Sequence, residues 1–338
     1  MKTVDTLTEL NHKEFNKSYF NQKPVIKKGG IKDTASYKLW SLDYLKSKIG
    51  SSNVTVNYSE SGEYNYSIKG RVQQITGPFD QIIDSFISGS YVNKSYYLQQ
   101  LSIAANFPQL LNDLENPDLN ADTDLVEVVN LWVGGGGCVT SLHFDASNNF
   151  LAQVRGKKEI TFFAPEDTVY LYANQQPGMG HISGIELDRV NLERFPLFSN
   201  AQPYYCLLEE GDYLYIPPGW WHHVRSKEVA VSVNYWWSRF DISDGNGIEF
   251  LSVEQLCGMI RLFLAKGLSI NHADENGEPL LIKAICKGYA NVVEAFLLMG
   301  ADPDQESVQF KPGTPAIILA ADHDQIINLL LHYGAVKF

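Results

Sequence analysis

The stretch LHFDASNNFLAQVRGKKEITFFAPED, residues 142–167, decides how this chain is read. It sets His143 and Asp145 two residues apart at the end of an extended run. Two further runs rich in β-branched and aromatic residues follow, Phe150–Val154 and Glu159–Phe163, divided at Gly156. Residues two apart on a strand project to the same face, so this imidazole and carboxylate can meet one metal ion. Working outward, Val126–Val133 and Val139–Phe144 precede these runs, and Tyr204–Leu208, Tyr213–Ile216 and Val229–Trp236 follow. Gly134–Gly137, Gly211-Asp212 and Pro217-Pro218-Gly219 punctuate them as turns. Many short strands at turn-length spacing predict a sandwich or barrel, with the cupin jelly roll among the options. Segment 165–200 interrupts the series and reads as a long insert with polar and proline turns.

Upstream, residues 1–120 mix helical spacing (Ser41–Ile49) with alternation (Val54–Tyr58), as expected of N-terminal α/β elements flanking the core. The core spans 121–240. A linker is expected over 241–252, because Asp241–Gly247 is rich in Asp, Ser and Gly. Residues 253–338 then read as all-α and periodic. Gly267, Gly300 and Gly334 each follow an apolar helix end, and Asn271 and Asp304 recur in the turns after the first two. Gly277-Glu278-Pro279 returns as Gly313-Thr314-Pro315. A repeat of about 33 residues with helix–turn–helix texture predicts ankyrin repeats. The expected fold is a mainly β domain plus an all-α ankyrin-repeat module, and the family resemblance given below implies that the β domain is a catalytic double-stranded β-helix (cupin jelly roll).

Composition bounds the function. The 338 residues are 44% hydrophobic and 20% charged, an ordinary globular balance. A net charge of −12 disfavours a phosphate-binding surface and with it a nucleic-acid partner, unless a local basic groove exists. The four scattered cysteines argue against a disulfide framework and read as buried thiols. The polar start Met1–Asp5 and the lack of an apolar run of about 20 residues predict a cytoplasmic chain without a membrane span.

A third metal ligand is expected from GDYLYIPPGWWHHV, residues 211–224, which carries His222 and His223. Two His and one carboxylate leave open positions on a metal, the arrangement of non-haem Fe(II) oxygenases. With NLERFPLFSNA (191–201) and VSVNYWW (231–237), these stretches resemble the JmjC-type cupin oxygenases from about Tyr96 to Trp237. The chain is most similar to the small hydroxylases of that family, which act on asparaginyl side chains or on tRNA wybutosine. The resemblance implies Fe(II) held by His143, Asp145 and His222, with His223 pointing the other way. It also implies 2-oxoglutarate as co-substrate, held by Lys158, Thr140 and Tyr97, with Asn149 and Asn234 near metal and co-substrate. Gln99 and Trp236 are the candidate substrate-contacting residues, and Trp220 and Trp221 are expected to help wall the site.

The implied activity is hydroxylation of a side chain of a protein substrate, with succinate and CO2 as co-products. The ankyrin module points to a protein partner, and Asn271 stands where self-hydroxylation would fall. Two alternatives stay open: a tRNA or other nucleic-acid hydroxylase on the same scaffold, and a non-enzymatic ankyrin interaction protein with a vestigial cupin.

Overall fold

The structure is a computed structural model that describes residues 2–65, 70–87, 96–115, 126–145, 147–174, 181–237, 253–265, 268–274 and 276–337. The linker expected over 241–252, and Gly267, lie outside the described residues. The chain divides into two compact units, Met1–Tyr172 with Ile182–Trp237, and Ala173–His181 with Ser238–Phe338. No helix among the described residues is long and apolar enough to cross a membrane.

In the first unit, seven strands precede the core: β1 (Lys2–Thr3), β2 (Asp5–Leu7), β3 (Val25–Lys27), β4 (Asn53–Tyr58), β5 (Glu63–Tyr64), β6 (Gln73–Pro78) and β7 (Tyr96–Ser102). Eight follow: β8 (Val126–Gly134), β9 (Val139–His143), β10 (Asn148–Arg155), β11 (Lys158–Phe163), β12 (Tyr204–Leu208), β13 (Tyr213–Ile216), β14 (Trp221–Ser226) and β15 (Ala230–Trp237). They form a six-stranded sheet, β1-β12-β11-β14-β9-β5, and a nine-stranded sheet, β2-β3-β13-β10-β15-β8-β7-β4-β6. The eight core strands alternate between the sheets in the jelly-roll manner, except that β11 and β12 pair within the six-stranded sheet, and the N-terminal strands extend both sheets. The insert between β11 and β12 is largely irregular, with short 3-10 turns.

Alternation along the strands builds two different interiors. On β10, Phe150, Ala152 and Val154 join a core that includes Phe15, Trp40, Leu45, Phe79 and Phe107 from the helical N-terminal elements. Among these elements is α1 (His12–Ser18), which carries Phe15. The intervening Leu151 points the other way and packs with Ile160, Phe162, Leu214 and Val224 between the sheets. Phe150 is the hub of the first core. Its ring meets Phe15 at 5.6 Å, Tyr213 at 5.3 Å, Tyr215 at 5.5 Å and Trp237 at 4.7 Å. One glycine is obligatory for the site. Gly156, at φ +70°, makes the β10–β11 turn, where an added Cβ would sit 2.2 Å from the Val229 carbonyl oxygen.

The second unit is helical. Its elements, α2 (Val253–Ala265), α3 (Leu280–Cys286), α4 (Ala290–Leu298), α5 (Ala316–Leu319) and α6 (Asp324–His332), bury Leu281, Ile285, Val293, Phe296, Ile326 and Leu330. α4 and α6 are followed by Gly300 and Gly334 at φ +90° and +95°, the left-handed stop that glycine adopts freely. The turns repeat their bonding as well. Asn271 Oδ1 accepts from the Asp302 amide at 2.9 Å, and Asp304 Oδ1 accepts from the Val336 and Lys337 amides, each at 2.9 Å. Asn271 Oδ1 also accepts from the Gln305 side-chain amide at 2.7 Å, so this side chain ties its turn to the following one. One expectation is corrected: Cys138 and Cys257 are buried, but Cys286 is exposed.

Truncating the aromatic hub tests the packing. Phe150→Ala should lower unfolding free energy by about 3–5 kcal/mol, the usual loss for a buried Phe, as measured by urea denaturation. A loss below about 1 kcal/mol, the scale of a conservative core swap, would contradict the packing described.

Candidate functional site

β9 and β14 run antiparallel with His143 directly opposite His222. Their rings lie 4.2 Å apart between centroids. Asp145 follows β9 in a turn held by the Gly219 amide, which donates to the Asp145 carbonyl at 2.9 Å. The carboxylate thereby lies 4.0 Å from His143 Nε2 and 3.6 Å from His222 Nε2. One ligand atom from each residue falls within 4.8 Å of the other two. The far ring nitrogens are committed. His143 Nδ1 lies 2.8 Å from the Ser141 carbonyl and His222 Nδ1 lies 2.9 Å from the Trp220 carbonyl. A carbonyl only accepts, so each Nδ1 carries a proton, and each Nε2 is the ring nitrogen left facing Asp145. Burial, reinforced by the neighbouring His143, brings the His222 pKa down to about 4, which keeps it in the neutral ligand form.

Deeper between the sheets, Lys158 is 2% exposed. Its Nζ is 3.4 Å from the Tyr97 hydroxyl, and the rings of Tyr97 and Trp132 lie 5.9 and 6.0 Å away. No carboxylate pairs with it among the described residues, and burial lowers its pKa to about 7. Asn149 and Asn234 meet here too. Trp132 Nε1 donates to Asn234 Oδ1 at 2.7 Å, and Asn234 Nδ2 donates to Asn149 Oδ1 at 3.3 Å. Three polar atoms on the inward faces of these strands are buried without a partner: Asn130 Nδ2, Ser226 Oγ and Trp236 Nε1.

Strict alternation would put Thr140, three residues before His143, on the opposite face. A register shift between β9 and β14 pairs Thr140 with Val224 and His143 with His222, so both face inward. Trp236 is paired with Asn149 across β10 and β15, on the same inward face. Gln99 is elsewhere: it accepts from Asn57 Nδ2 at 2.9 Å on β7, two strands from Asn234. Trp221 does not wall the site, because it faces outward, 4.8 Å from Phe144. Trp220 packs between the sheets against Phe162. His223 likewise faces outward, opposite Thr161 on β11. Trp132, Asn130 and Ser226 were not singled out from sequence. The alternation Val128-Asn130-Trp132 held the signal, but an aromatic in a valine-rich run reads as core.

A jelly roll whose two sheets enclose a His-x-Asp…His cluster and a buried lysine defines a cupin with a candidate metal centre. The cupin-like domain model matches residues 11–243, and the chain belongs to that family. It is 35% identical over 223 residues to lysine-specific demethylase 8 of Danio rerio, covering 64% of this chain and 53% of that protein. It is 30% identical over 252 residues to tRNA wybutosine-synthesizing protein 5 of Gallus gallus, covering 68% of this chain and 76% of that protein. The chain spans about half the length (53%, 51% and 48%) of three curated relatives it matches, the Danio rerio protein among them. The X-ray structure of E. coli ycfD aligns with a TM-score of 0.47 at 16% identity, over 71% of this chain and 57% of that one.

Two outcomes follow from the geometry. His143→Ala and Asp145→Asn should each weaken Co(II) binding, measured by titration calorimetry, beyond the roughly 10–100-fold typical of losing an outer partner. His223→Ala should leave Co(II) affinity nearly unchanged, and equal losses in all three would contradict the assignment. The second outcome concerns pH. The folded Lys158 pKa of about 7 lies below the ordinary 10.5. Between these values the unfolded chain binds a proton that the folded chain lacks, so stability from this group rises with pH. Ligand-free Lys158→Met should therefore be more stable than wild type below pH 7. Its advantage should shrink as pH rises toward 10, as read from urea denaturation across that range; a pH-independent gap would contradict the burial of the ammonium.

Proposed function

We propose that this chain is an Fe(II)- and 2-oxoglutarate-dependent oxygenase that hydroxylates a side chain of a protein substrate. The observation that carries the reading is a buried ammonium without a carboxylate, enclosed by the same two sheets that carry an open-sided two-His, one-carboxylate cluster. Three donors of that type suit Fe(II) and leave positions free. The uncompensated Lys158 suits a ligand carboxylate, because a buried charge is costly until paired. The unpartnered atoms of Ser226, Asn130 and Trp236 fit a polar ligand between the sheets. The residues present therefore fit both groups.

In this reading His143, Asp145 and His222 hold the iron. Lys158 takes the distal carboxylate of 2-oxoglutarate, with the hydroxyls of Tyr97 and Thr140. When bound, the two would supply the oxidising chemistry: the oxo acid loses CO2 and takes one atom of dioxygen to become succinate, and the other atom enters a substrate C–H bond. Trp132 fixes Asn234, which fixes Asn149, so both amides are oriented before any ligand arrives. Ile160, Phe162 and Val224 keep water from the chamber between the sheets. Trp236 and Gln99 remain the candidate substrate contacts, and of the two Trp236 has the inward position beside Asn149.

A protein substrate is supported by the net charge of −12, which opposes nucleic acid, and by the lysine-specific name of the Danio rerio relative. The helical unit, read as ankyrin-like from its turn bonds repeated 33 residues apart (271 to 304), would recruit a protein partner. Its Asn271 is a structural tie in this reading, which gives self-hydroxylation no support. A second reading, tRNA hydroxylation, draws on the wybutosine-synthesizing relative, which is matched over 76% of its length. The intact metal cluster weighs against a vestigial, purely interacting cupin.

The test is turnover. Protein with Fe(II), 2-oxoglutarate and ascorbate should form succinate, and more of it when a tryptic peptide library is added than when total tRNA is added. Peptides that gain one oxygen by mass spectrometry would identify the target. Asp145→Ala should abolish succinate formation, and Lys158→Met should raise KM for 2-oxoglutarate by at least tenfold, the weight of one lost charge-assisted bond of about 1.5–3 kcal/mol. Stimulation by tRNA alone would favour the second reading, and no succinate from wild type under any condition would refute both.

A further inference from the structure

The outward face of the six-stranded sheet carries a cavity, on the side of β14 opposite His222. Its volume is about 560 Å³, within the usual range of small-molecule sites. Thr161 and Phe163 of β11 and His223 of β14 line it from the sheet, and the insert lines it with Val190, Leu192 and Phe198. Most of this lining is apolar. The charged residues lining it are already paired: Arg225 with Asp188, and Glu159 with Lys227 at 3.0 Å. His223 is different. It is 8% exposed, it lines the cavity, and it has no hydrogen-bond partner among the described residues.

The His223 ring nitrogens are not among the fully buried polar atoms that lack a partner, so they open on the cavity, where a ligand can meet them. Nothing in the metal cluster uses this imidazole, since neighbouring residues on a strand face opposite sides of the sheet. A charged ligand would have to break an existing ion pair or be desolvated without compensation. An uncharged one would not. We propose that this cavity binds an uncharged small molecule with an aromatic or branched apolar body and a hydrogen-bonding group that meets the His223 ring. The site is separate from the metal centre, so it should fill while that centre is loaded.

The experiment uses the full chain loaded with Zn(II) and N-oxalylglycine, its histidine rings labelled with 15N, and p-cresol, indole and benzoate as probes. p-Cresol or indole should bind saturably and shift the His223 ring resonance, identified by its loss in His223→Phe, while the His222 resonance stays in place. Benzoate should bind at least tenfold more weakly than p-cresol. Ser199→Trp, at an exposed position lining the cavity, should weaken p-cresol at least tenfold without altering the far-ultraviolet circular dichroism. Ala201→Trp is a second block of the same space. The proposal is overturned if neither neutral probe saturates, if binding leaves the His223 resonance unmoved, if both tryptophan variants bind as wild type does, or if benzoate binds as tightly as p-cresol.

Discussion

A lysine ammonium taken out of water with no carboxylate beside it is the constraint around which the first unit is organised. The Tyr97 hydroxyl at 3.4 Å and two aromatic faces near 6 Å compensate only part of the lost hydration. Burial alone moves the lysine from its ordinary value to about 7. A fold selected only for stability would fill this place with a methionine or leucine. Retaining the charge makes sense when an anion arrives to complete it. The direction from which it can arrive is set by strands β11 and β14, which carry Lys158 and His222 on one continuous inward face.

That face exists because a single alternation serves two purposes. Outward residues of β10 and β15 build an aromatic core against the N-terminal elements, with Phe150, Tyr235 and Trp237 among its members. Among the residues between them, which line the space between the sheets, Asn149, Gln153, Ser232 and Asn234 are polar and buried, and Leu151 is apolar. Ser232 Oγ donates to Gln153 Oε1 at 2.8 Å, so the polar row is partly self-satisfied even without a ligand. The apolar core supplies the rigidity that holds such a row in place. The His143, Asp145 and His222 cluster sits where β9 ends and the chain continues through Asp145.

Much of this was legible in the residues themselves. The seven expected core strands from Val126 onward recur within a residue or two of their observed bounds, because β-branched and aromatic runs between glycine and proline turns leave little alternative. His143, Asp145 and His222 converge as their spacing and turn context suggested. Three things were not legible, each for a physical reason. The inward orientation of Thr140 depends on a register shift that only the pairing of two strands defines. Trp132 reads as core in sequence, and its role appears only when its indole N–H meets Asn234 across the sheet. Trp221 reads from its sequence position as a residue shaping or walling the site, but it takes the opposite face from its neighbour His222 and packs on Phe144.

The account stands on one ion and one anion sharing the chamber between the sheets. Crystals grown with Mn(II) and N-oxalylglycine test it most directly, by anomalous diffraction at the manganese edge. The account predicts a single strong anomalous peak among His143, Asp145 and His222, with the distal carboxylate of the analogue on Lys158. A manganese peak elsewhere, or an analogue bound with Lys158 still unpaired, would contradict it.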